Sequence, residues 1–178
     1  MAKSKKSRTA TILQVMQVVT WIVYIGLSIE AGAILVSFGV SLFNFQAAED
    51  LHLGLSLKHL LDFDRRHYIA YVSLLIAVPV LKASLMYQVI QILSKVKLES
   101  PFTLDVAKIL EKMSMTLIGV WIVSLIGHSY AKWLTKRTPE SFSFEVLDEY
   151  LLIAGLVFIL SQVFRRGVEI QAENDLTV

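Results

Sequence analysis

Apolar residues gather in four long stretches, at 12–43, 68–93, 115–134 and 147–164, and polar connectors occupy 44–67, 94–114 and 132–146. A helix needs about 20 mostly apolar residues to cross a bilayer, so each stretch qualifies as a span. The pattern predicts an all-α, polytopic membrane protein: a single four-transmembrane-helix bundle over residues 1–178 that finishes in a tail at 165–178. None of the connectors is rich enough in Pro, Gly or Ser to act as a domain linker. The first stretch is longer than it needs to be. About 32 helical residues measure roughly 48 Å against a hydrocarbon core of about 30 Å, so this helix must tilt, kink or protrude.

The middle connector carries its own helix signal. In "SPFTLDVAKILEKMSM", Thr103 can cap, Asp105 suits the positive first turn, and Lys108 and Lys112 follow. Val106, Leu110 and Met113 fall at i, i+4 and i+7, a stripe that runs into the third span and predicts one continuous helix.

Composition strengthens the membrane reading. Hydrophobic residues make up 55% of the chain and charged ones 18%, with a mean hydropathy of +0.61. A net charge of +2 without a basic cluster argues against direct nucleic-acid binding. With no Cys, a disulfide framework, a thiolate metal site and a Cys nucleophile are all excluded. Lys3, Lys5, Lys6 and Arg8 precede an apolar run in which Glu30 is the only charge up to Ala48. That run is too long for a signal peptide and reads as an uncleaved first span. Ten Lys and Arg flank the spans on the side of the N-terminus, middle connector and tail, against six on the other. This predicts a membrane protein with both termini and Lys108 cytoplasmic, and Lys58 and Thr138 outside. Trp21, Tyr68, Tyr71, Tyr130, Trp133 and Tyr150 are expected near span ends.

Glu30 and Lys82 are the strongest local signal, because a charge at mid-span costs roughly 2.5–3.5 kcal/mol on insertion scales and is usually paired or functional. In antiparallel spans they reach the same depth, so an intramembrane ion pair is expected, either structural or functional. Gly26, Ala33, Ser37 and Ser41 put small residues on the face of Glu30, where a neighbouring helix could approach closely. Pro79, one turn before Lys82, is expected to bend the second span and free carbonyls for the ammonium. His128 reads as a hydrogen-bonded packing residue. In "HLLDFDRRH", His59, Asp62, Asp64 and His67 are metal ligands by type, but the spacing matches no motif and Arg65 and Arg66 would repel a cation. The segment reads as a solvated loop. No catalytic motif is found, so neither an enzyme, a metal nor a cofactor is expected.

Two stretches, "SPFTLDVAKILEKMSMTLIG" at 100–119 and "LSQVFRRGVEIQAENDLTV" at 160–178, resemble the bacterial membrane-protein family catalogued as domain of unknown function 2975, over essentially the whole chain. Members have a PFT box before the third span and a similar tail. Ser100 and Ala172 depart from the family's usual Asn and Glu. The family has no established activity; its frequent gene neighbour, a small helix-turn-helix transcription regulator, implies a soluble partner for the cytoplasmic face. Phe102, Thr103, Lys108 and Lys112 of the connector, and Glu169, Glu173, Asn174, Asp175, Leu176 and Val178 of the tail, are the residues expected to meet it. The acidic tail could dock on Lys108 and Lys112 when idle. Two other readings remain: a small transporter or channel subunit using Glu30, Lys82 and His128, and an accessory subunit bound to other membrane proteins.

Overall fold

The computed structural model describes residues 8–48, 51, 56–96 and 102–175. Four helices, α1 (Arg8–Ser41), α3 (Arg65–Lys95), α4 (Leu104–Thr135) and α5 (Glu149–Asp175), are long and apolar enough to cross a membrane. A short helix, α2 (Lys58–Phe63), stands between α1 and α3. The architecture is all-helical among the described residues, that of a multi-pass membrane protein.

The helices run up and down, and they are neighbours in chain order: α1 packs on α3, α3 on α4, and α4 on α5. Among the described residues α1 and α5 make no backbone contact, so the bundle is open along that side. Burial follows from this order. Only 17% of the apolar windows of α1 and α5 is buried, against 28% for α3 and α4, which have neighbours on two sides.

The packed seams repeat every three and four residues. On α1 the buried and half-buried positions include Leu13, Gln17, Thr20, Tyr24, Leu27, Ala31, Ile34, Phe38 and Ser41. Along α4 the buried series runs Val106, Leu110, Ser114, Leu117, Val120, Ser124, Gly127, Ala131 and Leu134. This 3.5-residue period is that of left-handed, knobs-into-holes packing. Of the small-residue face expected on α1, Ser41 lies on this seam and Ala33 and Ser37 are half-buried, whereas Gly26 is exposed and a Cβ there would meet nothing within 4 Å.

At one end of the bundle, the described part of the 44–67 connector forms a folded cap, and the 59–67 segment is not the solvated loop expected. Leu51, Leu57, Leu60 and Leu61 are buried against Tyr68, Val72, Ala131 and Leu134. Asp64 caps α3 by accepting from the Arg66 amide at 2.7 Å. The ring of His67 lies 4.9 Å from that of Trp133, and its Nδ1 is 2.7 Å from the Tyr130 hydroxyl. His59 instead faces Glu140, at 3.8 Å. Hydrophobic leucines spaced between the charged residues, overlooked in the polar composition, are what fold this segment.

The connector after α4 behaves unexpectedly too. Residues 141–148 turn back along α4 as a strap without regular structure, and side chains hold it at each level. Thr135 Oγ1 accepts from the Phe142 amide at 2.9 Å, and His128 Nδ1 donates to the Phe144 carbonyl at 2.8 Å. The Ser124 hydroxyl accepts from the Leu147 amide at 3.2 Å, and Trp121 Nε1 donates to Asp148 Oδ1 at 3.1 Å. Trp121 precedes the end of α4 by about 14 residues, roughly 21 Å along the axis at 1.5 Å per residue. The N-terminus of α5 therefore sits about halfway down α4.

Candidate functional site

Two places gather the polar residues that the apolar frame does not need. The first lies at mid-height. Ser41 and Tyr68, with hydroxyls 2.5 Å apart, and the ring contact of Tyr24 with Tyr87 at 5.9 Å set the antiparallel register of α1 and α3. Glu30 and Lys82 fall between these ties, at similar height, as the antiparallel arrangement predicts. The ion pair itself is not formed: among the described residues no salt bridge joins them. Both instead line one cavity of about 270 Å³ together with Pro79, Phe144 and Glu145. Two features explain the separation. Glu30 is exposed, one position short of Ala31 on the packed seam and about 100° from it around the helix. The Lys82 ammonium lies 5.9 Å from the centroid of the Tyr150 ring, a cation–π distance. Tyr150 is accordingly at mid-height and not at a bundle end, since the strap has carried the start of α5 there. Pro79 is buried inside α3, which continues through it to Lys95, and Lys82 finds the Tyr150 face in place of freed carbonyls.

The second place is the end that holds the start of α1 and the end of α5. There α4 begins at Thr103, whose side chain accepts from the Val106 amide, and runs unbroken to Thr135, the single helix that the connector pattern predicts. Lys95 reaches Asp105 across the α3–α4 junction at 2.9 Å. The α5 helix does not stop where its apolar run stops at Phe164 but continues to Asp175. Its seam continues as well, through half-buried Phe164, Val168 and Gln171. The Phe102 ring stacks edge-on against Phe164 at 5.2 Å and covers Gly167 so closely that a Cβ there would lie 2.6 Å from it. Arg165 pairs with Glu111 of α4 at 2.5 Å.

A family model described as "Protein of unknown function (DUF2975)" matches residues 58–178. The chain belongs to this family. No curated protein and no solved structure matches it. The matched stretch of this DUF2975 chain begins at Lys58, narrower than the whole-chain resemblance expected, so α1 and its Glu30 lie outside it.

Within the matched stretch, the PFT box and the RRGVE segment of this DUF2975 protein form one unit, Phe102 on Gly167 and Glu111 on Arg165. The docking of tail on connector thus uses other residues than the acidic pair and the lysines. Glu169 is answered by Arg166 at 2.6 Å, one helical turn away on its own helix, and no ion pair with Lys108 or Lys112 forms among the described residues. Lys108, Lys112, Glu169 and Glu173 are all exposed. Leu176, Val178 and the side chains of Asn174 and Asp175 lie outside the described residues. Sequence reasoning missed Glu111, Arg165 as its partner, and Gly167; the i, i+4 charge pattern pointed to the glutamates because it cannot weigh contacts between distant segments.

Proposed function

We propose that this DUF2975 chain is a non-catalytic, regulatory membrane protein of the bacterial cytoplasmic membrane, and that its face at the two termini is cytoplasmic and holds a soluble regulator. One observation carries the reading: α5 runs on past the end of its apolar run at Phe164 to Asp175, about 11 residues more, and this extension is held by the Phe102 ring and by Glu111 of α4. A helix that leaves the apolar slab and is rigidly held presents a preordered ledge, and preorder reduces the entropy lost when a partner binds. Exposed Glu169, Ile170 and Glu173 edge it on one side and Lys108 and Lys112 lie on the neighbouring helix. Such a mix of both charge signs around an apolar residue suits a protein surface better than a nucleic acid.

The test is recovery of partners in mild detergent from the native host, using the full chain and an Ile170→Asp, Lys108→Glu, Lys112→Glu variant. Recovery of a helix-turn-helix regulator by the native chain and its loss in the variant, at equal expression and equal size-exclusion profile, is the expected result. Equal recovery by both would overturn this reading. A second reading, a small transporter or channel subunit, draws on the mid-height cavity; a third, an accessory subunit, draws on the broad exposed apolar surface of α1. Recovery of large membrane partners alone would favour the third.

A further inference from the structure

The mid-height cavity carries an inference independent of any soluble partner. Its walls are mostly apolar, from Ile34, Leu75, Val78 and Leu147, and three charged side chains enter it: Glu30 from α1, Lys82 from α3 and Glu145 from the strap. Charges at this height are costly in a bilayer and ordinarily mark a pathway or a ligand site unless they neutralise one another. Here they do not. Two carboxylates face one ammonium, and that ammonium rests over Tyr150 without an ion-pair contact to either.

The strap is a second, independent pointer. Irregular backbone is tolerated at membrane depth only where protein buries it or where it lines a cavity. Residues 143–147 do both. The Ser143 carbonyl accepts from the Tyr71 hydroxyl at 2.9 Å and the Phe144 carbonyl from His128, while Ser143, Phe144, Glu145 and Leu147 form one wall of the cavity. The missing α1–α5 contact leaves the neighbouring side of the bundle open.

We propose that this cavity binds a small amphipathic organic cation, an ammonium carried on one apolar ring or a short chain. The carboxylates of Glu30 and Glu145 supply the counter-charge, and the Phe144 ring adds a face on which a cation can rest. The volume is just below the roughly 300 Å³ at which drug-sized pockets begin, which limits the ligand to a compact one. A hydrated metal ion fits less well, because it wants several converging oxygen ligands and gains nothing from apolar walls. An organic anion would meet two carboxylates for a single ammonium.

Benzyltrimethylammonium is a suitable probe, with phenylacetate as its anionic counterpart of similar size. Titration calorimetry on the full chain in an uncharged maltoside detergent should show saturable binding of the cation and none of the anion. Glu30→Gln and Glu145→Gln should each weaken binding about tenfold or more, Val78→Trp should abolish it by filling the space, and Lys82→Met should tighten it because a like charge is gone. Glu145 is exposed on the strap, so its variant keeps the test decisive if Glu30→Gln does not fold. The proposal is overturned by absence of saturable binding to the native chain, by native affinity in the Glu145→Gln or the Val78→Trp variant, or by preference for phenylacetate that Lys82→Met removes.

Discussion

Single residues decide how closely the segments approach, and the glycines separate into two kinds. At Gly127 a Cβ would lie 2.6 Å from the Phe144 ring of the strap, and at Gly167 the same distance from the Phe102 ring. At Gly119, also inside α4, it would meet nothing within 4 Å. Gly127→Ala and Gly167→Ala are therefore expected to destabilise by about 1–3 kcal/mol through overpacking. Gly119→Ala should stabilise by roughly 0.4–1 kcal/mol by restricting the unfolded chain. Thermal melts in detergent distinguish the two signs. Sequence alone treats these glycines alike, since what matters is a ring from elsewhere in the chain. Glu30 and Lys82 teach a related lesson: their common height was legible from antiparallel counting, but their lateral separation was not. Without a direct contact, the losses in folded yield from Glu30→Gln and Lys82→Met should add, and a double variant that recovers the loss would show that the two side chains touch.

Among the elements, the helices were legible and the connectors were not. Thr103, Asp105 and the Val106–Leu110 stripe announced the start of α4, because capping and helix periodicity are local chemistry. Thr103→Ala should cost about 1 kcal/mol, read as fraying of the first turn of α4 by hydrogen exchange. The strap has no such local signature. Its amides and carbonyls are satisfied by Thr135, His128, Ser124 and Tyr71, residues spread over two other elements. His128→Ala combined with Ser124→Ala should remove about 1 kcal/mol per lost bond and raise proteolytic cleavage within 141–148 while leaving α4 helical. Unchanged cleavage would mean that the Phe144 and Leu147 side chains alone hold the strap.

For the molecule as a whole, the orientation expected from the Lys and Arg count can be checked with the Cys-free chain. Cysteines placed at Lys108 and Lys136, both exposed, should differ in intact cells: an impermeant thiol reagent should label position 136 and spare position 108. The reverse pattern would invert the orientation. The number of long apolar helices and their approximate places were determined by sequence, because a bilayer demands about 20 apolar residues per crossing and that demand is met by composition within each stretch. Which face of each helix packs was decided only by tertiary structure. A helix apolar all round, as α1 is, carries no phase in its sequence, and the seam from Leu13 to Ser41 is set by what α3 offers opposite it. The same holds for the cavity and for the ledge on α5. Glu30, Lys82 and Glu145 come from three segments, and Phe102 and Gly167 from two, so only the packing of those segments could bring each set together.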